Sequence, residues 1–164
     1  MESTYFRKGF GLKADIEQRL TADYHSTIGV AHRCNGYPLM ARLRNLRRGR
    51  EFGLFVGGDG AVDYAYETLT KFPDLRLLLV GVIIHNPHVN SKLKDMGIDF
   101  LQHDASGQFD FTRLTAEDVV IMPAFGVTVR DFERLRAVGC VMVDTTCGSV
   151  LNVWKRVEGY ARDG

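Results

Sequence analysis

Apolar and polar positions change period several times along this chain, and the changes mark its elements. From residue 75 onward, short apolar runs alternate with stretches in which apolar residues recur every three or four positions, the patterns of buried strands and amphipathic helices. Leu75–Ile84 reads as a buried strand. Asn86–Pro87 then supplies an N-cap and a proline suited to the first helical position; Val89, Leu93 and Met96 share a face, and Gly97 stops that helix. Ile98–Leu101 is a brief strand and Val119–Ala124 a further buried one. Thr128, with Asp131 three residues on, opens a helix whose apolar face is Phe132, Leu135 and Val138, ended by Gly139. Val141–Val143 is the last apolar run, halted by Asp144, Thr145 and Thr146, which bond readily to nearby backbone. Beyond it Val150, Val153, Trp154, Val157 and Ala161 recur at helical spacing, with Ser149 expected as the N-cap. Earlier in the chain, glycine-rich Phe52–Gly60 runs into a helix faced by Ala61, Val62, Ala65, Leu69 and Phe72. A further helix is expected over Lys13–Tyr24.

Strand and helix alternating in this way predict an α/β domain, with a mainly parallel sheet, helices on both faces and right-handed crossovers. In such a sheet every strand-to-helix turn lies at the carboxyl edge, where ligands bind in open α/β folds. Four turns qualify: Phe55–Gly60, His85–Asn86, Phe125–Gly126 and Cys147–Gly148. His85 and Cys147 can therefore share a pocket despite their separation in sequence. A cysteine at a helix start lies near unpaired N–H groups and the positive end of the helix dipole, a setting suited to binding metal or attacking a substrate. The same position also suits a quiet structural thiol, and His85 is equally readable as a local capping residue; both alternatives stay open on the residues alone.

Length and composition narrow the field. A chain of 164 residues makes one domain with an appendage, divided here into an N-terminal extension over 1–50, partly helical, and an α/β lobe over 51–164. A net charge of +1 gives no global attraction to nucleic acid or an anionic membrane. The run Arg42, Arg44, Arg47, Arg48 and Arg50 reads as a solvated edge strand or linker, with an anion or nucleic-acid patch as the alternative. No apolar stretch reaches membrane-spanning length and the N-terminus lacks the apolar block of a signal peptide, so a cytoplasmic protein is expected. Three cysteines, Cys34, Cys140 and Cys147, without CxxC spacing argue against a disulfide scaffold or a self-contained zinc site. Cys140 reads as a packing residue. The glycine-rich loop matches neither GxGxxG nor a Walker A loop.

Taken together, the ordered segments resemble one family. Tyr64-Ala65-Tyr66-Glu67-Thr68, Ile83-Ile84-His85-Asn86-Pro87-His88-Val89-Asn90, Asp118-Val119-Val120-Ile121-Met122-Pro123-Ala124-Phe125-Gly126, Val143-Asp144-Thr145-Thr146-Cys147 and Val153-Trp154-Lys155-Arg156-Val157-Glu158 are similar to the 4-hydroxy-3-methylbut-2-enyl diphosphate reductases. The likeness is to their plant and cyanobacterial branch and runs over residues 51–163. It implies one lobe of a three-lobed fold around a central [4Fe–4S] cluster held by one cysteine per lobe, with the fourth iron open to substrate. It also implies reductive dehydroxylation to isopentenyl and dimethylallyl diphosphate, the last step of the non-mevalonate isoprenoid pathway. By this resemblance Cys147 is a cluster ligand and His85 contacts the substrate diphosphate.

Departures from the family pattern shape the expectation as much as the matches. Phe55 stands where the first cluster cysteine belongs, and phenylalanine cannot ligate iron. The chain stops at Gly164, before the lobes that carry the third cysteine, the proton-donating glutamate and most of the diphosphate pocket. The expectation is a truncated reductase that does not complete the reaction alone, with Phe55 near Cys147 and with self-association through the face the other lobes would cover. The alternative is a non-catalytic α/β module binding an anionic small molecule or a protein partner. A third reading, nucleophilic catalysis at Cys147 with His85 as base, needs the two side chains within hydrogen-bond reach.

Overall fold

The computed structural model describes residues 4–7, 9–24, 38–41, 44–47 and 58–163. In chain order the elements are β1 (Tyr5–Phe6), α1 (Lys13–Tyr24), β2 (Pro38–Ala41), β3 (Arg44–Arg47), α2 (Gly58–Lys71), β4 (Leu77–Val80), α3 (Pro87–Asp95), β5 (Asp99–Leu101), β6 (Val119–Met122), α4 (Val129–Val138), β7 (Val141–Asp144) and α5 (Gly148–Asp163). Among the described residues, five strands form one sheet in the order β1-β7-β6-β4-β5, parallel at every pairing. Strands β2 and β3 pair separately as an antiparallel hairpin, which places Arg44 and Arg47 of the basic run on a strand. Arg42, Arg48 and Arg50 lie outside the described residues.

Side chains of a strand alternate between faces, and here both faces are covered. Leu77, Leu79, Val119, Ile121 and Val143 pack with Ile16 of α1, Ala65 and Tyr66 of α2, and Val89 and Leu93 of α3. Leu78, Val80, Val120, Met122 and Met142 meet Leu135 of α4 together with Phe111 and Leu114 on the opposite face. Two buried faces explain why the strands read as unbroken apolar runs rather than as alternating ones.

Element boundaries differ from the sequence expectation where glycine intervenes. Strand β4 stops at Val80 instead of Ile84 because Gly81 takes φ +70°; Ile83 and Ile84 stay buried, but as part of a turn. Helix α2 starts at Gly58, inside the segment expected to be loop. Helix α5 starts at Gly148, and its first hydrogen bond runs from Leu151 N to the Cys147 carbonyl at 3.1 Å, so Cys147 holds the N-cap position expected of Ser149. Among the described residues, α5 meets the carboxyl edge through its first two turns, with Val150 and Leu151 half-buried and Trp154 beside Gly126. Its apolar stripe faces solvent: Val153 is 58% exposed, Val157 59% and Tyr160 77%. Periodicity reports that a helix has an apolar stripe, not what covers it.

Polar contacts tie α1 to the lobe. The Tyr66 hydroxyl donates to Asp23 Oδ2 at 2.7 Å, Lys92 of α3 pairs with Asp23 Oδ1 at 2.7 Å, and Lys13 pairs with Asp63 at 3.1 Å. Burial, then the bonds to Tyr24 and Asp23, pushes the Tyr66 hydroxyl well above the usual tyrosine range. Tyr66→Phe is expected to lower stability by about 1–2 kcal/mol, read as a lower denaturant midpoint with an unchanged m-value. Faster proteolysis is then expected within Lys13–Tyr24 and not in β6 or β7. Among the described residues, no helix is long and apolar enough to cross a membrane.

Candidate functional site

Backbone hydrogen bonding carries on beyond the strands at the carboxyl edge of the sheet. Ala124 N donates to the Ile83 carbonyl at 3.1 Å, Thr145 N to the Met122 carbonyl at 3.3 Å, and Cys147 N to the Ala124 carbonyl at 2.9 Å. These bonds lace together the turns that follow β4, β6 and β7, so His85, Phe125 and Cys147 stand in a row on one edge. The His85 and Phe125 rings pack at 5.0 Å between centroids, tilted by 32°. Both side chains are exposed and Cys147 is half-buried.

Each turn has its own local cause. Asn86 caps α3, its side chain accepting from His88 N at 3.0 Å and Val89 N at 3.3 Å, with Pro87 at the first helical position. Asn90, one turn into α3, donates from Nδ2 to the Ile84 carbonyl at 2.8 Å and accepts from Ile83 N at 3.2 Å; it clamps the segment that presents His85. After β6, Gly126 turns the chain at φ +75°, and a Cβ there would overlap Trp154 Cη2 and lie 2.8 Å from Cζ2. After β7, the Thr145 hydroxyl donates to the Met122 carbonyl at 2.6 Å. The buried Asp144 carboxylate accepts from Thr146 N at 2.9 Å and from the Thr146 hydroxyl through Oδ1, and from the Tyr5 hydroxyl at 2.6 Å through Oδ2. Burial and then Asp144 push the Tyr5 hydroxyl up to about 12. A cleft of about 280 Å³ lies beside this turn, lined by Tyr5, Phe132, Asp144, Thr146, Leu151 and Trp154.

Strand β6 lies between β4 and β7, so the His85 and Cys147 turns are two strand spacings, about 10 Å, apart. The Phe125 ring rests on His85 between them. This arrangement does not favour the nucleophile–base reading. Cys140 sits at the other end of β7, buried, its thiol directed to the Leu135 carbonyl at 3.7 Å, and burial pushes its pKa up. Among the described residues no group of three or more His, Cys, Asp or Glu converges. A cubane cluster draws on three or four thiolates, and the described residues bring one to this edge. They do not by themselves fit the cluster that the resemblance implies. Phe55, expected near Cys147, and Cys34 lie outside the described residues.

With this geometry in place, residues 47–164 match the family described as LytB protein. The chain belongs to the LytB family. It is 46% identical over 161 residues to the 4-hydroxy-3-methylbut-2-enyl diphosphate reductase of Gloeobacter violaceus, covering 96% of this chain and 39% of that protein. To the same-named enzyme of Acaryochloris marina it is 39% identical over 158 residues, with 96% and 38% covered. The LytB chain thus spans about two-fifths of the length of these relatives. A solved (E)-4-hydroxy-3-methyl-but-2-enyl diphosphate reductase, the terminal enzyme of the non-mevalonate pathway, superposes with TM-score 0.56 at 29% identity over 68% of this chain and 37% of its own. The Plasmodium falciparum E-1-hydroxy-2-methyl-but-2-enyl-4-diphosphate reductase shares the fold, with TM-score 0.61 at 23% identity over 70% and 33% of the two chains. A parallel sheet covered by helices, corresponding to one lobe of the reductase fold, is therefore the architecture of this LytB chain.

Three residues that build the edge were missed in the sequence reading. Asn90 carried a signal, since asparagine is a poor helix former whose presence early in a helix points to a side-chain partner. Asp144 was read only as a strand terminator, although a carboxylate at the buried end of a strand needs donors. Tyr5 carried no signal at all.

Proposed function

We propose that this chain forms the lobe of a LytB reductase that presents His85 and Cys147 to a diphosphate substrate and an iron–sulfur cluster. The reaction in this reading is reductive dehydroxylation of 4-hydroxy-3-methylbut-2-enyl diphosphate to isopentenyl and dimethylallyl diphosphate in the cytoplasm. The chain by itself does not complete that reaction. The observation that carries the reading is the laced carboxyl edge, which lines up the turns of β4, β6 and β7 within the residues that match the LytB family. In it, the exposed His85 imidazole donates to a phosphate oxygen and Cys147 is one ligand of the cluster. The same reading treats 1–50 as an extension and 51–164 as the lobe, the extension lending β1 to the edge of the lobe's sheet and Ile16 to its core.

Anaerobic reconstitution with iron and sulfide tests the assignment. The parent chain is expected to stay nearly colourless, because one thiolate does not hold a cubane. Phe55→Cys is expected to raise iron content above the parent, and Cys147→Ser on that background to cancel the gain, as two thiolates acting on one centre require. Equal iron in all three proteins removes the Cys147 assignment and that of Phe55 with it.

The solvent-facing stripe of α5 favours a second reading, a non-catalytic module that associates through this face with itself or another protein. Sedimentation of the parent against Val157→Glu separates the two: association that the glutamate abolishes supports the module, and a monomer at all concentrations counts against it.

A further inference from the structure

We propose that Tyr5 is a positioning residue for the turn that presents Cys147, acting through Asp144; the inference rests on the reading of that turn as the functional one. Tyr5 lies in β1, outside the residues that match the LytB family. Strand β1 pairs in parallel with β7, Tyr5 opposite Met142 and Phe6 opposite Val143, and this pairing brings the Tyr5 ring alongside the end of β7. There its hydroxyl donates to Asp144 Oδ2 at 2.6 Å while Asp144 Oδ1 holds Thr146 N and the Thr146 hydroxyl. Asp144 is 8% exposed. A carboxylate buried to that degree needs donors on both oxygens, and the two oxygens here have different suppliers: the turn itself for one and the N-terminal strand for the other.

The consequence reaches Cys147 through a single peptide link. Thr146 precedes it, and the Thr146 hydroxyl also faces Gly126, since a Cβ there would lie 3.2 Å from it. Losing the Tyr5 hydroxyl leaves Oδ2 without that donor and frees the carboxylate to rotate towards the adjoining cleft, releasing the Thr146 bonds that fix the turn. The Tyr5 ring makes a contact of its own, packing edge-on against Phe132 at 5.6 Å between centroids. Tyr5→Phe therefore keeps the strand and the ring and removes the hydroxyl that holds Asp144 Oδ2.

The test is the rate of iodoacetamide alkylation at fixed pH, with Cys140 and Cys147 followed separately by peptide mass spectrometry. Tyr5→Phe is expected to speed modification of half-buried Cys147 by about fivefold, with Cys140 as slow as in the parent. In an Asp144→Ala background the Tyr5→Phe change is expected to have no further effect, because the clamp is already gone. An unchanged Cys147 rate overturns the proposal, as does a parallel rise at Cys140, which would report general opening of the fold, or full additivity in the double variant. The readout needs no metal, so a chain in which Cys147 never contributes to iron binding while Tyr5→Phe still speeds its alkylation would sink the functional reading and leave the positioning role standing.

Discussion

Gly126→Ala is expected to lower stability by about 3 kcal/mol and to release α5 from the carboxyl edge. Two costs combine. Alanine at φ +75° is strained by about 1 kcal/mol or more, and its Cβ would overlap the six-membered ring of Trp154, a form of overpacking that typically costs about 1–3 kcal/mol. The Trp154 ring cannot move inward, because Thr146 and the Gly126 backbone lie there, so it swings out and takes the helix start with it. Trp154 is the sole tryptophan in the chain, and its emission is expected to shift to the red in the folded variant. Trp154→Ala combined with Gly126→Ala removes the overlap and leaves the backbone strain, so the double variant should be less destabilised than the sum of its parts. Additive losses, or emission that stays at the parent wavelength, would contradict the close packing of α5 on this turn.

A second large effect is expected at the opposite end of the sheet. Asp118, 3% exposed, accepts from Arg76 Nε at 2.8 Å and Nη2 at 2.6 Å and from Thr115 N at 2.7 Å, while Arg76 Nη2 also reaches the Arg113 carbonyl at 2.8 Å. The Arg76 bonds hold the Asp118 carboxyl below the usual carboxylate range, against the opposing effect of burial. Asp118→Asn is expected to cost about 2–3 kcal/mol at neutral pH, less than a fully buried pair because the Arg76 side chain is 42% exposed. A carboxyl whose folded pKa is depressed contributes its stability above the unfolded pKa of about 3.9 and loses it as pH falls through the folded value. The gap between parent and variant should therefore be constant from pH 7 to about pH 5 and shrink on further acidification. Denaturant midpoints across that range measure it; a gap that persists unchanged at pH 2 would refute the charged pair as its source. Alkylation of Cys147 should not respond, since Asp118 and Arg76 lie at the amino ends of β6 and β4.

The distribution of these effects follows what a chain can specify locally and what it cannot. The α/β alternation, the caps at Asn86 and Thr128, the stop at Gly139 and the helix over Lys13–Tyr24 were all readable, because each depends on residues within a few positions of one another. The row of His85, Phe125 and Cys147 on one edge was readable too, since parallel strands joined by right-handed crossovers bring every strand-to-helix turn to the same side. The ends of elements were less legible. Gly81 stops β4 early and Cys147 takes the cap from Ser149, because each boundary depends on which conformation the neighbouring turn needs. Only the tertiary structure decided that β1 lies beside β7 and supplies Tyr5 to Asp144, that Arg76 and Asp118 meet across 42 residues of chain, and that the apolar stripe of α5 is left facing solvent. Those outcomes are set by which elements become neighbours, and a residue's own periodicity carries no record of the partner that will satisfy or cover it.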